Sequence, residues 1–108
     1  YKCNFKCPMC VQGIPELEEK FGYPEKMTTE KITQILEEGK KYGCPSVSFQ
    51  GDNEPFLMKN ITDWFALARE MGFQDIMVNT NGSIMTEKLA EKIIQFIYRA
   101  YFRWAFNR

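Results

Sequence analysis

Cys3, Cys7 and Cys10 stand in the pattern C-x3-C-x2-C, so three of the four cysteines fall within eight residues. Thiolate sulfur is the ligand that soft metal centres prefer, and a curled backbone can draw three such neighbours together. A closed tetrahedral site takes four protein ligands, so three leave a coordination position free for chemistry. The residues alone leave other readings open: a zinc site completed by Cys44 or an acid, a redox pair, or unrelated buried thiols. The chain has no histidine. Histidine-based triads and zinc sites with imidazole ligands are therefore excluded.

Two further polar stretches stand out. Phe49 and Gln50 run into Gly51, Asp52, Asn53, Glu54 and Pro55, and Asn79 and Thr80 run into Asn81 and Gly82. Each residue type is common where a strand turns into a helix, and Asn-Gly is among the strongest turn dipeptides. Neither stretch carries a function by itself. Their value lies in their order behind the cysteines.

The elements that must hold these stretches are readable from periodicity. Residues 11–27 form a loop with one short helix: Pro15 suits a first helical position and Gly22 a stop. Ile14, Leu17 and Phe21 share a face and are expected to pack as a lid over the core. Thr28 or Thr29 caps a helix reaching Tyr42, with Ile32, Ile35, Leu36, Gly39 and Tyr42 along one stripe and Gly43 to end it. Cys44 is expected to be a small buried residue at the turn that follows. Residues 46–50 read as a strand, 60–71 as a helix capped by Asn60 with Ile61, Trp64, Phe65, Ala68 and Met71 inward, and 75–79 as a second strand. A last helix follows Thr86, with Leu89, Ala90, Ile93, Ile94 and Ile97 apolar. Strands alternating with helices imply an α/β fold of parallel strands joined by right-handed crossovers. Ligands in such sheets bind beyond the C-terminal ends of the strands, where both polar stretches fall.

Taken together, the three stretches resemble the radical S-adenosylmethionine (radical SAM) superfamily. The cysteine spacing is that of the family's cluster loop, residues 49–57 resemble its Gly-x-Gly-Glu-Pro segment, and Thr80-Asn81-Gly82 resembles the segment after its third strand. The resemblance implies that Cys3, Cys7 and Cys10 hold three irons of a [4Fe–4S] cluster. S-adenosylmethionine chelates the fourth iron through its amino and carboxylate groups. An electron from a flavodoxin- or ferredoxin-type donor then cleaves the sulfonium to a 5′-deoxyadenosyl radical, which takes hydrogen from a small-molecule or peptide substrate. Gly51, Asp52 and Asn53 would offer backbone, and Glu54 its acid, to the methionyl amino group. Asn79 and Asn81 would face the same cavity. Two departures stand in these motifs. Asn53 replaces the second glycine, and asparagine tolerates positive φ. Met9 replaces the aromatic residue that lies beside the adenine and offers a flexible apolar side chain instead.

The fold so implied is the first half of a (β/α)6 partial TIM-like barrel, truncated at both ends with its first strand nearly absent. Residues 1–97 would be a partial core domain. The wording around residues 53–57 looks most like members that modify peptides or carry an extra C-terminal cluster domain. Residues 98–108 are an atypical tail in which aromatics and arginines alternate and no acid appears. It reads as a continuation of the last helix or as a truncated or frame-altered end.

With 108 residues the chain suffices for one small domain. Fourteen basic and fourteen acidic residues leave no net charge, which gives nucleic acid and anionic membranes no electrostatic handle. No apolar run approaches the ~20 residues that span a bilayer. No signal peptide is apparent, so a reducing cytoplasmic setting with metal-bound rather than disulfide cysteines is expected.

Overall fold

In the computed structural model residues 3–14, 16–22, 26–97 and 99–102 are described. A short helix α1, Leu17–Phe21, precedes α2, Thr29–Lys41, strand β1, Ser46–Phe49, helix α3, Ile61–Glu70, strand β2, Asp75–Thr80, helix α4, Glu87–Ile94, and strand β3, Arg99–Phe102. The strands form one parallel sheet in the order β1-β2-β3. Val47 lies opposite Ile76, Phe49 opposite Val78, and Thr80 opposite Phe102. The expected α/β alternation with parallel strands is thus the architecture observed.

Local chemistry sets the boundaries. The Thr28 hydroxyl accepts from the Lys31 amide and the Thr86 hydroxyl from the Leu89 amide, each at 3.2 Å, so α2 and α4 begin with satisfied donors. Asn60 holds the cap position of α3 without a side-chain cap bond. Gly43, at φ 74°, turns the chain out of α2 in a conformation that costs other residues strain.

The core lies on one side of the sheet. Phe49, Ile76 and Val78 are buried there against Ile32 and Leu36 of α2, Trp64, Phe65 and Ala68 of α3, and Ile93 of α4. Phe65 is its centre: its ring meets Phe49 edge-on at 5.0 Å and Phe56 at 6.1 Å between centroids. Two polar ties join the helices to their neighbours. The Trp64 indole N–H donates to the Thr29 hydroxyl at 3.0 Å. The Arg69 guanidinium donates to the carbonyls of Phe73, Gln74 and Phe96, locking the end of α3 to the start of β2 and the end of α4. Along β2 the opposite face, with Asp75, Met77 and Asn79, stays only half-buried. The period-two alternation therefore separates a helix-covered face from an open, more polar one.

Some expectations are overturned. Ile14 and Phe21 are 43% and 76% exposed, so they do not form a lid over the core. Ile35 and Tyr42, placed on the inward stripe of α2, are 53% and 73% exposed; the narrow sheet accepts only Ile32 and Leu36 from that helix. Cys44 is exposed rather than buried, because the turn after α2 lies at the rim. The last helix does not run on into the tail. It ends at Ile94, and Arg99–Phe102 pairs with β2 as a third strand. Tyr101 and Phe102 are aromatic residues of the kind enriched in strands. Residues 103–108 of the tail lie outside the described residues.

Because Phe65 is fully buried at the meeting point of sheet and helices, Phe65→Ala is expected to destabilise the fold by about 3–5 kcal/mol. Urea unfolding followed by far-UV circular dichroism measures the loss.

Candidate metallocofactor site

The cysteine loop curls through two local devices. The Cys10 amide donates to the Cys7 carbonyl at 2.9 Å, closing a turn over Pro8 and Met9, with proline at the position that presets its φ. The Gly13 amide then donates to the Cys10 carbonyl at 2.8 Å in a 3₁₀ turn, Val11–Gly13. Gly13 has no substitute here: a Cβ on it would lie 2.3 Å from the Cys7 carbonyl oxygen. The sequence reading did not single out Gly13, since a close approach between residues 7 and 13 leaves no periodic or compositional mark.

Side-chain amides fasten this loop to the C-terminal ends of both strands. On one flank Gln12 donates to the Asp52 carbonyl at 2.5 Å. On the other, Asn81 donates to Asn4 Oδ1 at 2.9 Å and to Cys3 Sγ at 3.7 Å. Asn4 in turn donates to the Ser83 hydroxyl at 2.6 Å. The three cysteines are free and half-buried, and the Cys3 sulfur also accepts from the Phe5 amide at 3.4 Å. Gln12, Asn4 and Ser83 went unnoticed in the sequence because single amides and hydroxyls carry no motif.

The two polar turns are built around Glu54. Its side chain is 2% exposed and takes three donors: the Phe56 amide at 3.2 Å, the Thr80 hydroxyl at 2.6 Å and the Asn81 amide at 2.7 Å. The Glu-Pro pair thereby caps a 3₁₀ turn, Pro55–Leu57, with Pro55 at its start. The same carboxylate ties that turn to the end of β2. Glu54 was expected to offer its acid to a ligand, but the carboxylate is aimed into the protein and holds two loops together. Gly51, Asp52 and Asn53 remain accessible around the turn above β1. Asn53 does not adopt the positive φ for which asparagine was thought suited, since among the described residues Glu16 is the non-glycine residue that does. At the end of β2 it is Gly82, at φ 71°, that takes the left-handed conformation.

The remaining sequence-predicted residues separate. Met9 sits at the tip of the cysteine turn, 83% exposed. Asn79 lies on the open face of the sheet and donates to Gln50 across the strand ends. Asn81 faces the cysteine loop rather than an open cavity. Cys44 precedes β1, whereas the loop carrying the other three cysteines bonds to residues that follow the strands, through Gln12 to Asp52 after β1 and through Cys3 to Asn81 after β2. A strand of four residues is ~13 Å long, so Cys44 stands at the wrong end of the sheet to complete their site.

No group of three or more His, Cys, Asp or Glu among the described residues is gathered tightly enough to hold a single metal ion. The expectation that three sulfurs converge on one point is not met in that form. A cube, however, spreads its thiolates over separate irons, and its demand is for soft, partly shielded sulfur with N–H donors nearby. The loop supplies three half-buried thiols, with N–H donors on the sulfur of one, Cys3, and in its chemistry this set fits an iron–sulfur cluster, while a zinc centre lacks its fourth ligand.

The described residues thus form a parallel half-barrel with a cysteine loop seated on the C-terminal edge of its strands. Its family follows from comparison with known proteins: the Radical SAM superfamily model matches residues 1–102, and the chain belongs to that superfamily. The match takes in β3, part of the stretch set apart as an atypical tail. The chain is 33% identical over 95 residues to the GTP 3′,8-cyclase of Thermodesulfovibrio yellowstonii, covering 85% of this chain and 28% of that protein. It is 27% identical over 93 residues to a probable GTP 3′,8-cyclase of Saccharolobus solfataricus, covering 86% of this chain and 28% of that protein. A 7,8-dihydro-6-hydroxymethylpterin dimethyltransferase of Methanocaldococcus jannaschii is 30% identical over 83 residues, 75% of this chain and 15% of that protein. The chain thus spans under a third of the length of these relatives. Among solved structures, the crystal structure of BtrN in complex with AdoMet and 2-DOIA superposes with a TM-score of 0.79 at 22% identity, covering 92% of this chain and 40% of that one. The fold is therefore that of a radical SAM partial barrel.

Two substitutions test the construction of the site. Glu54→Gln replaces an oxygen that accepts from fixed N–H groups by an amide that donates; it is expected to cost about 1–3 kcal/mol and to speed hydrogen exchange at the Asn81 amide. Gly13→Ala forces the 3₁₀ turn away from Cys7, and is expected to lower iron incorporation on reconstitution while the circular dichroism of the α/β core is retained.

Proposed function

We propose that this chain is the cluster- and S-adenosylmethionine-binding part of a radical SAM enzyme. The observation that carries the reading is the placement of Cys3, Cys7 and Cys10 above the ends of β1 and β2 in a chain that matches the superfamily over residues 1–102. Cys3, Cys7 and Cys10 would hold a [4Fe–4S] cluster, and the backbone of Gly51, Asp52 and Asn53 would face the methionyl end of S-adenosylmethionine. Bound together, the pair supplies reductive cleavage of the sulfonium to a 5′-deoxyadenosyl radical, a hydrogen-abstracting species.

The protein's share of the work is binding, orientation and exclusion of side reactions. Gly13 and the Cys7–Cys10 turn shape the cysteine loop. Gln12 and Asn81 fix it over the strand ends, and Glu54 sets the spacing of the two turns beneath it. Asn79, on the open face of the sheet with Gln50, would meet substrate or the nucleoside rather than the cluster. Met9, exposed beside the last cysteine, would offer an apolar side chain to the adenine. The open sheet face is where a small organic substrate would bind, with an external low-potential donor such as a flavodoxin or ferredoxin reducing the cluster in a reducing cytoplasm. The relatives act on different molecules, a nucleotide and a pterin by their names.

Anaerobic reconstitution with iron and sulfide is expected to give a brown protein with ~4 iron and ~4 sulfide per chain. Addition of S-adenosylmethionine and dithionite should then release 5′-deoxyadenosine. Cys7→Ala should abolish both. A colourless protein that takes up zinc but no sulfide would overturn the reading.

A further inference from the structure

Asn81 is held on every side. Its backbone N–H donates to the buried Glu54 carboxylate at 2.7 Å. Its side-chain oxygen accepts from the Ser83 amide at 2.9 Å and from the Ser83 hydroxyl at 2.7 Å. A backbone N–H can only donate, so the end of the Asn81 amide facing Ser83 must be the oxygen, and the NH₂ must face the cysteine loop. That NH₂ has two hydrogens. One goes to Asn4 Oδ1 at 2.9 Å and the other to Cys3 Sγ at 3.7 Å, so the count closes with neither hydrogen spare. Asn4 is oriented in turn by its own bond to the Ser83 hydroxyl at 2.6 Å. Asn4, Asn81 and Ser83 therefore form a closed ring with one member aimed at a thiol.

We propose that Asn81 is a positioning residue for the cluster, whose side-chain N–H···S bond to Cys3 raises the reduction potential of the centre those cysteines bind. The inference rests on the cluster reading above and adds to it a role for this chain's own amide. The sign follows from electrostatics. Reduction puts negative charge on the cluster and its thiolates, so a donor aimed at sulfur favours the reduced form, and hydrogen bonds to sulfur are among the levers that set such potentials. The bond is asymmetric: among the described residues Cys3 is the loop cysteine whose sulfur carries hydrogen bonds, from Phe5 and Asn81. The Phe5 amide is backbone and is kept by every substitution except proline, whereas the Asn81 side-chain amide is removed by alanine.

The test is an anaerobic redox titration of the reconstituted chain, followed by electron paramagnetic resonance of the reduced cluster, in the unaltered protein and in Asn81→Ala and Asn4→Ala. Asn4→Ala removes the neighbouring bond of the ring but leaves the Asn81 N–H and Cys3 in place. Asn81→Ala should shift the midpoint to a more negative value, so that the reduced fraction at fixed poise falls by about three- to tenfold, ~59 mV per tenfold for one electron. Asn4→Ala should shift it much less. Equal shifts in both variants, or none in Asn81→Ala with the cluster fully loaded, would overturn the inference and leave the cluster reading standing. Failure of the unaltered chain to take up iron and sulfide would overturn both.

Discussion

A carboxylate that is 2% exposed can stay in a protein only if its oxygens are met by donors, and Glu54 finds three of them on two different segments. That requirement sets the geometry of the whole upper edge. The Phe56 amide comes from the turn directly after β1. The Thr80 hydroxyl and the Asn81 amide come from the end of β2, across the sheet. The carboxylate therefore ties together the loops that carry the polar stretches, and their separation is set by its short bonds rather than by loop preference. Breaking one of these bonds leaves a buried group unsatisfied at a cost of about 1–3 kcal/mol, which is large against the stability of a small domain.

The cysteine loop depends on that clamp at second hand. Asn81 receives its backbone position from Glu54 and passes it to Cys3 and Asn4 through its side chain. Gln12 reaches down to the Asp52 carbonyl, two residues before the same glutamate. A loop of this composition has few apolar anchors: Met9 and Ile14 both face solvent. It is held by amides bonding to amides and carbonyls, with directional bonds doing what burial does elsewhere.

The division between what was and was not legible in the sequence follows from these forces. Strands and helices were legible because one-sided burial imposes a period: Ile76, Val78 and Thr80 alternate with Asp75, Met77 and Asn79, and Ile32 and Leu36 recur at helical spacing. The cysteines and the Gly-Asp-Asn-Glu-Pro turn were legible as types of residue at a spacing. The direction of Glu54 was not, because an acid before a proline reads the same whether it faces solvent, a ligand or the core; only the partners supplied by β2, 26 residues later, decide it. Periodicity also overstated burial. It marks Ile35 and Tyr42 as apolar positions on a helix but cannot say how wide a surface awaits them. In the tail, Arg99–Phe102 carries no period-two pattern of its own, and its place in the sheet is set by pairing with β2 rather than by a readable alternation.

The sheet has two unlike faces, and the contrast bears on function. On one, aromatic and aliphatic side chains close the core under α2, α3 and α4. On the other, Ser46, Ser48 and Gln50 of the β1 segment are exposed, and Met77 and Asn79 of β2 are half-buried. Parallel strands packed on both faces read as continuous apolar runs. Apart from Met77, these strands instead place polar residues at every second position of this face: Ser46, Ser48 and Gln50 along the β1 segment, Asp75 and Asn79 along β2. Gln50 and Asn79 satisfy one another across the two strand ends, directly below the edge that carries the cysteine loop. The alternation along β1 and β2 thus builds a core on one side and leaves an open, more polar face on the other.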